Sequence, residues 1–320
     1  MVRAYTREIS VAITILILML VLAVSAPGYF NTANLTDLFM ANMPVMIISL
    51  GMTLIIITGQ IDISVGSVFA VCSVITGISA KWGIWGIGGG LVACTIGAAC
   101  GALNGALIGY LRIPSIVVTL ATMVALRDGL RWKTQGSWIG DLPVHFQWLG
   151  LTQLTYTLAV FALVCLLVLL IAAGLRHLYI GRAVFAVGSN EEAARLLGIN
   201  AKQIVFSVFT ITGTLTGLAA MLNSVRFNQV PSNSGLGLEM KVIAAVAVGG
   251  ASIMGGAATI TGTVLGVILL GSIGSALAFL GVSAYWEKAI QGSIILGAIT
   301  INSLGSYREK NASHNHALPG

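Results

Sequence analysis

The chain is 320 residues long, with 57% of them hydrophobic, only 8% charged and a formal net charge of +6. Soluble chains carry roughly a quarter charged residues, so sixteen Lys plus Arg and ten Asp plus Glu cannot cover this one in water. The composition excludes a water-soluble globule and makes the bilayer the solvent. The cations fall between apolar segments, so they read as topology signals and not as a nucleic-acid footprint.

An apolar helix of about 20 residues crosses about 30 Å of hydrocarbon. The first such window runs from Ile9 to Ala26 behind Arg3 and Arg7. It is longer than a signal-peptide core, and Pro27 follows its only small-residue stretch, so this span is expected to remain in the protein. Further windows follow at Met43 to Thr58, Ile63 to Ala80, Ile84 to Leu111, Pro114 to Leu130, Leu154 to Leu175, Ile204 to Asn223, Met240 to Met254, Ala258 to Leu280 and Tyr285 to Ser303, ten in all. The runs are continuous and not alternating, which means helices and not barrel strands.

An even number of crossings puts both termini on one side. Arg3, Arg7, Arg112, Arg176, Arg182, Arg195, Lys202, Arg308 and Lys310 share that side, against Lys81, Arg127, Arg131, Lys133, Arg226, Lys241 and Lys288 on the other. The side with both tails and the most charged loop is expected to be cytoplasmic. The expected architecture is an all-α integral membrane protein of about ten transmembrane helices, some short or broken, in two related halves. One domain fills 1–320: first helix 9–26, first half about 43–131, a charged loop 176–203, second half about 204–303 and a polar tail 306–320.

Thirty-nine glycines are about 12% of the chain, above the usual 7% or so. Gly97, Gly101, Gly105 and Gly109 recur every fourth residue, with shorter cases at Gly213/Gly217 and Gly262/Gly266. This spacing lets helix backbones approach closely, and packing within one subunit is preferred to a dimer seam. The halves echo each other: Gly59 through Gly66-Ser67-Val68 aligns with Gly255 through Gly262-Thr263-Val264. Paired Gly-broken segments point to a transport pathway between repeats.

Asp62 is the most informative residue, because a carboxylate between apolar runs must reach water, a partner or a helix end. Three roles are open. It caps the following helix with Ser64 nearby, lines a substrate path, or carries a coupling proton. Ser67, Asn104 and Thr119 join it as candidate pathway groups, with interhelical hydrogen bonds as the plain alternative for Asn104 and Thr119. In the loop 176–203, Ser189 or Asn190 can cap a short helix with Glu191 and Glu192 in its first turn, Arg195 one turn on and Gly198 ending it. Its Ala, Leu and Ile face either folds back or enters a cytoplasmic partner; the partner is preferred.

Cys72, Cys94, Cys100 and Cys165 lie in apolar stretches with no CxxC pair and read as small hydrophobes, not zinc ligands or disulfides. His314 and His316 sit in the polar tail. No Walker-type loop, HExxH or GxSxG occurs, so no bound cofactor or metal and no enzymatic step is expected. The chain moves something.

The blocks Gln60-Ile-Asp62-Ile-Ser64-Val-Gly66-Ser67, Ile113-Pro114-Ser115 through Thr119, Gly181-Arg182 through Gly198, and Ala244 through Gly249-Gly250 to Gly255-Gly256 resemble the permease subunits of ribose-type ABC sugar importers. The resemblance runs in order from about residue 35 to 305. Arg127 to Trp138 and Gly237 to Lys241 are more similar to the rhamnose and autoinducer-2 permeases. Gln60 replaces a usual Gly and Lys241 a usual acidic residue, and both count against ribose.

The resemblance implies a permease that pairs with a second, identical or homologous, permease in a bacterial inner membrane. A cytoplasmic ATPase binds the ATP and Mg, and a periplasmic protein delivers sugar. Arg182, Asn190, Glu191, Glu192, Arg195 and Gly198 would then form the coupling helix against the ATPase, and Asp62, Ser64, Ser67, Asn104 and Thr119 the pathway. Arg127, Arg131, Trp132, Lys133 and Trp138 would face the binding protein, unless the rings serve as interfacial anchors. The alternative function is a proton-coupled secondary transporter with Asp62 as proton carrier.

Overall fold

A computed structural model describes residues 2–283 and, past them, 285, 286, 289, 290, 292, 293, 296 and 297. The tenth apolar window, 285–303, lies largely outside the described residues, and the polar tail, 306–320, wholly so. The described residues form eleven α-helices: α1 (Val2–Ser25), α2 (Thr32–Ile57), α3 (Val65–Lys81), α4 (Ile87–Gly109), α5 (Ser115–Thr134), α6 (Gln153–His177), α7 (Tyr179–Ser189), α8 (Glu191–Leu196), α9 (Ala201–Ser224), α10 (Leu238–Val248) and α11 (Ile260–Phe279). Apart from one isolated bridge between Ile139 and Val230, they contain no β pairing. Six helices are long and apolar enough to cross a membrane: α1, α2, α4, α6, α9 and α11. The protein is therefore a helical membrane protein.

Helices α4 and α9 pack along a close seam, where backbone meets backbone. A Cβ on Gly97 would lie 2.1 Å from the Gly213 carbonyl oxygen, one on Gly101 2.2 Å from that of Phe209, and one on Gly217 2.2 Å from that of Ala93. Gly105 and Gly109 continue the stripe against Phe206 and Lys202. The four-residue glycine spacing thus packs helices within one subunit, where backbone contact replaces a hydrophobic drive that lipid cannot supply. Buried hydroxyls in these walls are satisfied locally, as Thr212 and Thr216 donate to the carbonyls one turn earlier, both at 2.8 Å.

Helix α2 begins at Thr32, capped by the Asn31 side chain, well before the apolar window at Met43. Its first turns carry Asn34, Asp37 and Asn42, which hide the helix from a hydropathy reading. Pro44 sits inside it and cannot donate to the Met40 carbonyl. Arg226 does so instead, its Nη1 reaching that oxygen at 2.6 Å. Arg226→Met is expected to destabilise the protein by about 1–3 kcal/mol, because it leaves a buried carbonyl without a partner. A melting temperature in detergent that matches wild type would contradict this.

Two spans are discontinuous. Between α2 and α3 the chain breaks at Gly59, in the left-handed region at φ +75°, and α3 restarts at Val65. The segment before α10 pairs Val230 with Ile139 beside Gly77, then reaches Gly66, whose carbonyl oxygen lies 2.5 Å from a Cβ built on Gly235. Non-helical backbone thus follows α3 for about 16 Å, at 1.5 Å per residue. Such backbone is tolerated inside a bundle only where protein or a water-filled cavity surrounds it. From there α10 packs on α11, with Gly249 against Gly262 and Ala245 against Gly266.

Candidate functional site

A cavity of about 530 Å³ opens between the first turns of α2, the end of α9, the break before α10 and the second half of α11. Its polar walls are Asn34, Asp37, Asn42, Asn223, Lys241 and Ser275, and Phe69, Leu236 and Leu238 supply apolar surface. None of the five residues read from the sequence as pathway groups lines it.

Those five form or adjoin a buried network instead. Thr122 Oγ1 donates to Asn104 Oδ1 at 2.7 Å, Asn104 Nδ2 to Ser64 Oγ at 2.9 Å and Ser64 Oγ to Asp62 Oδ1 at 2.6 Å. The Ser64 backbone N–H donates to the same Asp62 oxygen at 2.8 Å, so the carboxylate fixes the turn leading into α3. Asp62 is not the cap of the helix, whose N-cap is Ser64 itself with no side-chain cap bond. Ser67 Oγ bonds the Met123 carbonyl and Thr119 Oγ1 that of Ser115. Asp62→Asn keeps an acceptor oxygen for both Ser64 donors and is expected to transport within about twofold of wild type, whereas Asp62→Ala orphans them at about 1–3 kcal/mol. Loss of transport in a stably folded Asn variant would show that the charge itself is used.

Beside the cavity, whose wall includes Leu238 and Lys241, lies an ion pair that the residue pattern alone did not single out. Glu239, in the first turn of α10, is buried and meets Arg127 of α5 at 3.4 Å. The Glu239 carboxylate packs against Gly66 at the start of α3, where a Cβ would lie 2.0 Å from Oε2. The carboxylate therefore sits where the N-termini of two broken helices meet, the end of a helix that favours negative charge. A signal was available: an acidic residue, Glu239, in the first turn of a helix whose only other charge is Lys241. Arg127 thus turns into the protein, while Trp132 and Trp138 are 76% and 59% exposed. Lys133 is exposed, and so is Arg131, which pairs with Asp128 at 3.7 Å.

The loop 176–203 folds as two helices, α7 and α8, where the sequence suggested one. Asn190 caps α8 by accepting from the Ala193 N–H at 2.9 Å, and Gly198 closes it at φ +79°. Arg182, Glu191, Glu192 and Arg195 are exposed, as are Leu196 and Leu197 at 83% and 78%, while Ala194 is buried. At the end of α7 a Cβ on Gly188 would lie 1.6 Å from the Ile57 carbonyl oxygen. The Gly256 N–H donates to that same oxygen at 2.8 Å. Backbone contact therefore links α7 directly to the end of α2 and to the turn before α11. Glu8 of α1 joins this end, accepting from Thr261 at 2.7 Å and from Thr259. A smaller cavity of about 220 Å³ beside α8 is lined by Gln60, Arg112, Glu191 and Lys202 among others.

Among the described residues, no group of three or more His, Cys, Asp or Glu could hold a metal ion. Residues 34–299 match the family described as branched-chain amino acid transport system / permease component. The autoinducer 2 import system permease protein LsrC of Klebsiella pneumoniae is 36% identical over 98% of this chain and 90% of its own length. Its namesakes in Yersinia pseudotuberculosis and Yersinia enterocolitica are 34% identical over 92% of this chain, covering 84% and 82% of theirs. No solved structure matches the chain.

Proposed function

This chain belongs to the permease-component family, as the membrane subunit of an ABC importer of the ribose type, and on that premise we propose that its cargo is a monosaccharide-like polyhydroxylated solute of the rhamnose, ribose or autoinducer-2 kind. As a permease it is not an enzyme, and ATP hydrolysis belongs to a partner ATPase. The observation that carries the mechanism is the backbone junction of Gly188 with Ile57. Through it, a push on α7 and α8 reaches α2 and the turn before α11 without passing through a flexible side chain.

In this reading Arg182, Asn190, Glu191, Glu192, Arg195 and Gly198 present the coupling surface to the ATPase in the cytoplasm. Leu196 and Leu197 supply its apolar contact. Both termini are cytoplasmic, and the ten crossings fall into two related halves, about 43–131 and 204–303, which contain the Gly59 and Gly255 breaks. α3, α5, α10 and the window 285–303 supply the crossings beyond the six long helices. Two permeases, identical or homologous, stand side by side, with the exposed surface around Arg131, Trp132, Lys133 and Trp138 toward a periplasmic binding protein and Arg127 behind it. ATP-driven closure of the ATPase pair shifts the population between outward and inward packings. Asp62 and its hydrogen-bonded partners hold the break at α3 during that shift.

Vesicles holding the permease, ATPase and binding protein test the reading directly. Uptake of labelled sugar is expected with ATP trapped inside and no proton gradient; uptake that needs the gradient and ignores ATP overturns it. For the coupling surface, Glu191→Arg and Gly198→Trp are each expected to reduce uptake by about tenfold or more, the effect of losing about 1.4 kcal/mol of docking. Full ATPase capture and full transport in both variants would reassign the segment.

A further inference from the structure

We propose that the 530 Å³ cavity is the permease's own holding site for its cargo, and that it takes a neutral, polyhydroxylated molecule of monosaccharide size. The proposal rests on the importer reading above and adds the site and the chemistry of its ligand.

The cavity touches Asn42, whereas the coupling junction is at Ile57, about 22 Å further along α2 at 1.5 Å per residue. Helix α9 likewise starts next to α8 and ends at the cavity with Asn223. Helix α11 starts beside the junction and reaches the cavity at Gly271 to Ser275. The cavity and the coupling segment therefore occupy opposite ends of the same helices. The break before α10, through Gly235, Leu236 and Leu238, borders the cavity, so any shift of α10 reshapes it.

The amides are held in place, and each keeps capacity for a guest. Asn34 Nδ2 donates to the Tyr29 carbonyl at 2.7 Å and its Oδ1 accepts from Ser275 at 3.2 Å, which leaves a second N–H. Asn42 Nδ2 donates to Leu38 and Gly271 carbonyls at 2.8 and 3.4 Å, leaving its oxygen. Asn223 Oδ1 accepts from Arg226 at 3.3 Å, leaving its NH₂. An amide offers a donor and an acceptor, as a hydroxyl does, so this set suits a ligand bearing several hydroxyls. Asp37 adds an acceptor for a pair of neighbouring hydroxyls, and Phe69 a face for the C–H side of a ring. The volume lies within the usual range of about 300–1,000 Å³ for small-molecule sites. Fixed polar groups in an otherwise apolar wall are the preorganised arrangement that favours binding.

The test uses the assembled importer in vesicles at saturating loaded binding protein, with L-rhamnose, D-ribose, autoinducer-2 and leucine as probes. Asn34→Ala and Asn223→Ala are each expected to slow uptake of the carried sugar roughly tenfold, the effect of losing a ligand hydrogen bond. Ser275→Leu, which fills the cavity from α11, is expected to block uptake. All three should keep the ATPase bound and hydrolysing ATP. Wild-type uptake of a sugar that all three variants match overturns the site while leaving the importer reading intact. A wild-type complex that carries none of the three polyhydroxylated probes overturns the cargo class beneath it, and leucine as the carried solute overturns both. If one variant fails to assemble, the removal and filling variants still decide independently.

Discussion

Gly188→Ala is expected to cut ATP-driven uptake by about tenfold or more while leaving the permease inserted in the membrane. The added methyl would lie 1.6 Å from the Ile57 carbonyl oxygen and 2.9 Å from the Gly256 nitrogen. Both are backbone atoms, so no side chain can rotate away, and the strain belongs at the upper end of the overpacking range, about 3 kcal/mol. The cheapest relief is to pull α7 away from the end of α2, because α7 is the shorter and more exposed element. That separates the coupling segment from the helices that border the cavity. Uptake and ATP hydrolysis measured together distinguish the outcomes: hydrolysis with little uptake is the expected pattern. Wild-type uptake would mean that force reaches α2 by another route.

The second large effect falls in the α4–α9 seam. Gly213→Val would press its Cβ to 2.1 Å from the Gly97 carbonyl oxygen and 3.0 Å from the Gly101 Cα. Here two long helices must part along their length, and the expected loss is about 3 kcal/mol or more, with poor yield of folded protein after solubilisation. Gly129→Ala supplies the contrast. Nothing lies within 4 Å of a Cβ there, and alanine suits a helix interior better than glycine by about 1 kcal/mol. Thermal unfolding followed by size-exclusion recovery should rank Gly129→Ala at or above wild type and Gly213→Val far below it. Equal recovery of both would show that the seam can open without cost.

The glycine stripe of α4 was legible in the sequence because its signal is local: a fixed spacing on a single helix. The cap at Asn190 and the bonds from Ser64 to Asp62 were legible for the same reason, since each joins residues only two or three positions apart. What escaped depends on distant neighbours. The start of α2 was missed because Asn34, Asp37 and Asn42 lower its hydropathy, and those residues are polar because they line a cavity whose other walls come from α9 and α11. The role of Arg226 follows from a proline more than 180 residues earlier. Glu239 gains meaning only when Arg127 and Gly66 are brought beside it. Helix α7 was hidden by Gly181 and Gly188, which read as loop residues but serve close packing.

The α4–α9 seam also bears on how the protein is made. Some ninety residues separate the two helices, so α4 enters the bilayer well before α9 leaves the ribosome. During that interval its glycine stripe faces lipid, where it is soluble as a helix but unpartnered. Insertion must therefore come first and close packing later, after α5 to α8 have been delivered. A nascent chain stalled before α9 would hold its early helices in the membrane with this glycine face uncovered, open to capture by any other helix with small residues on one face.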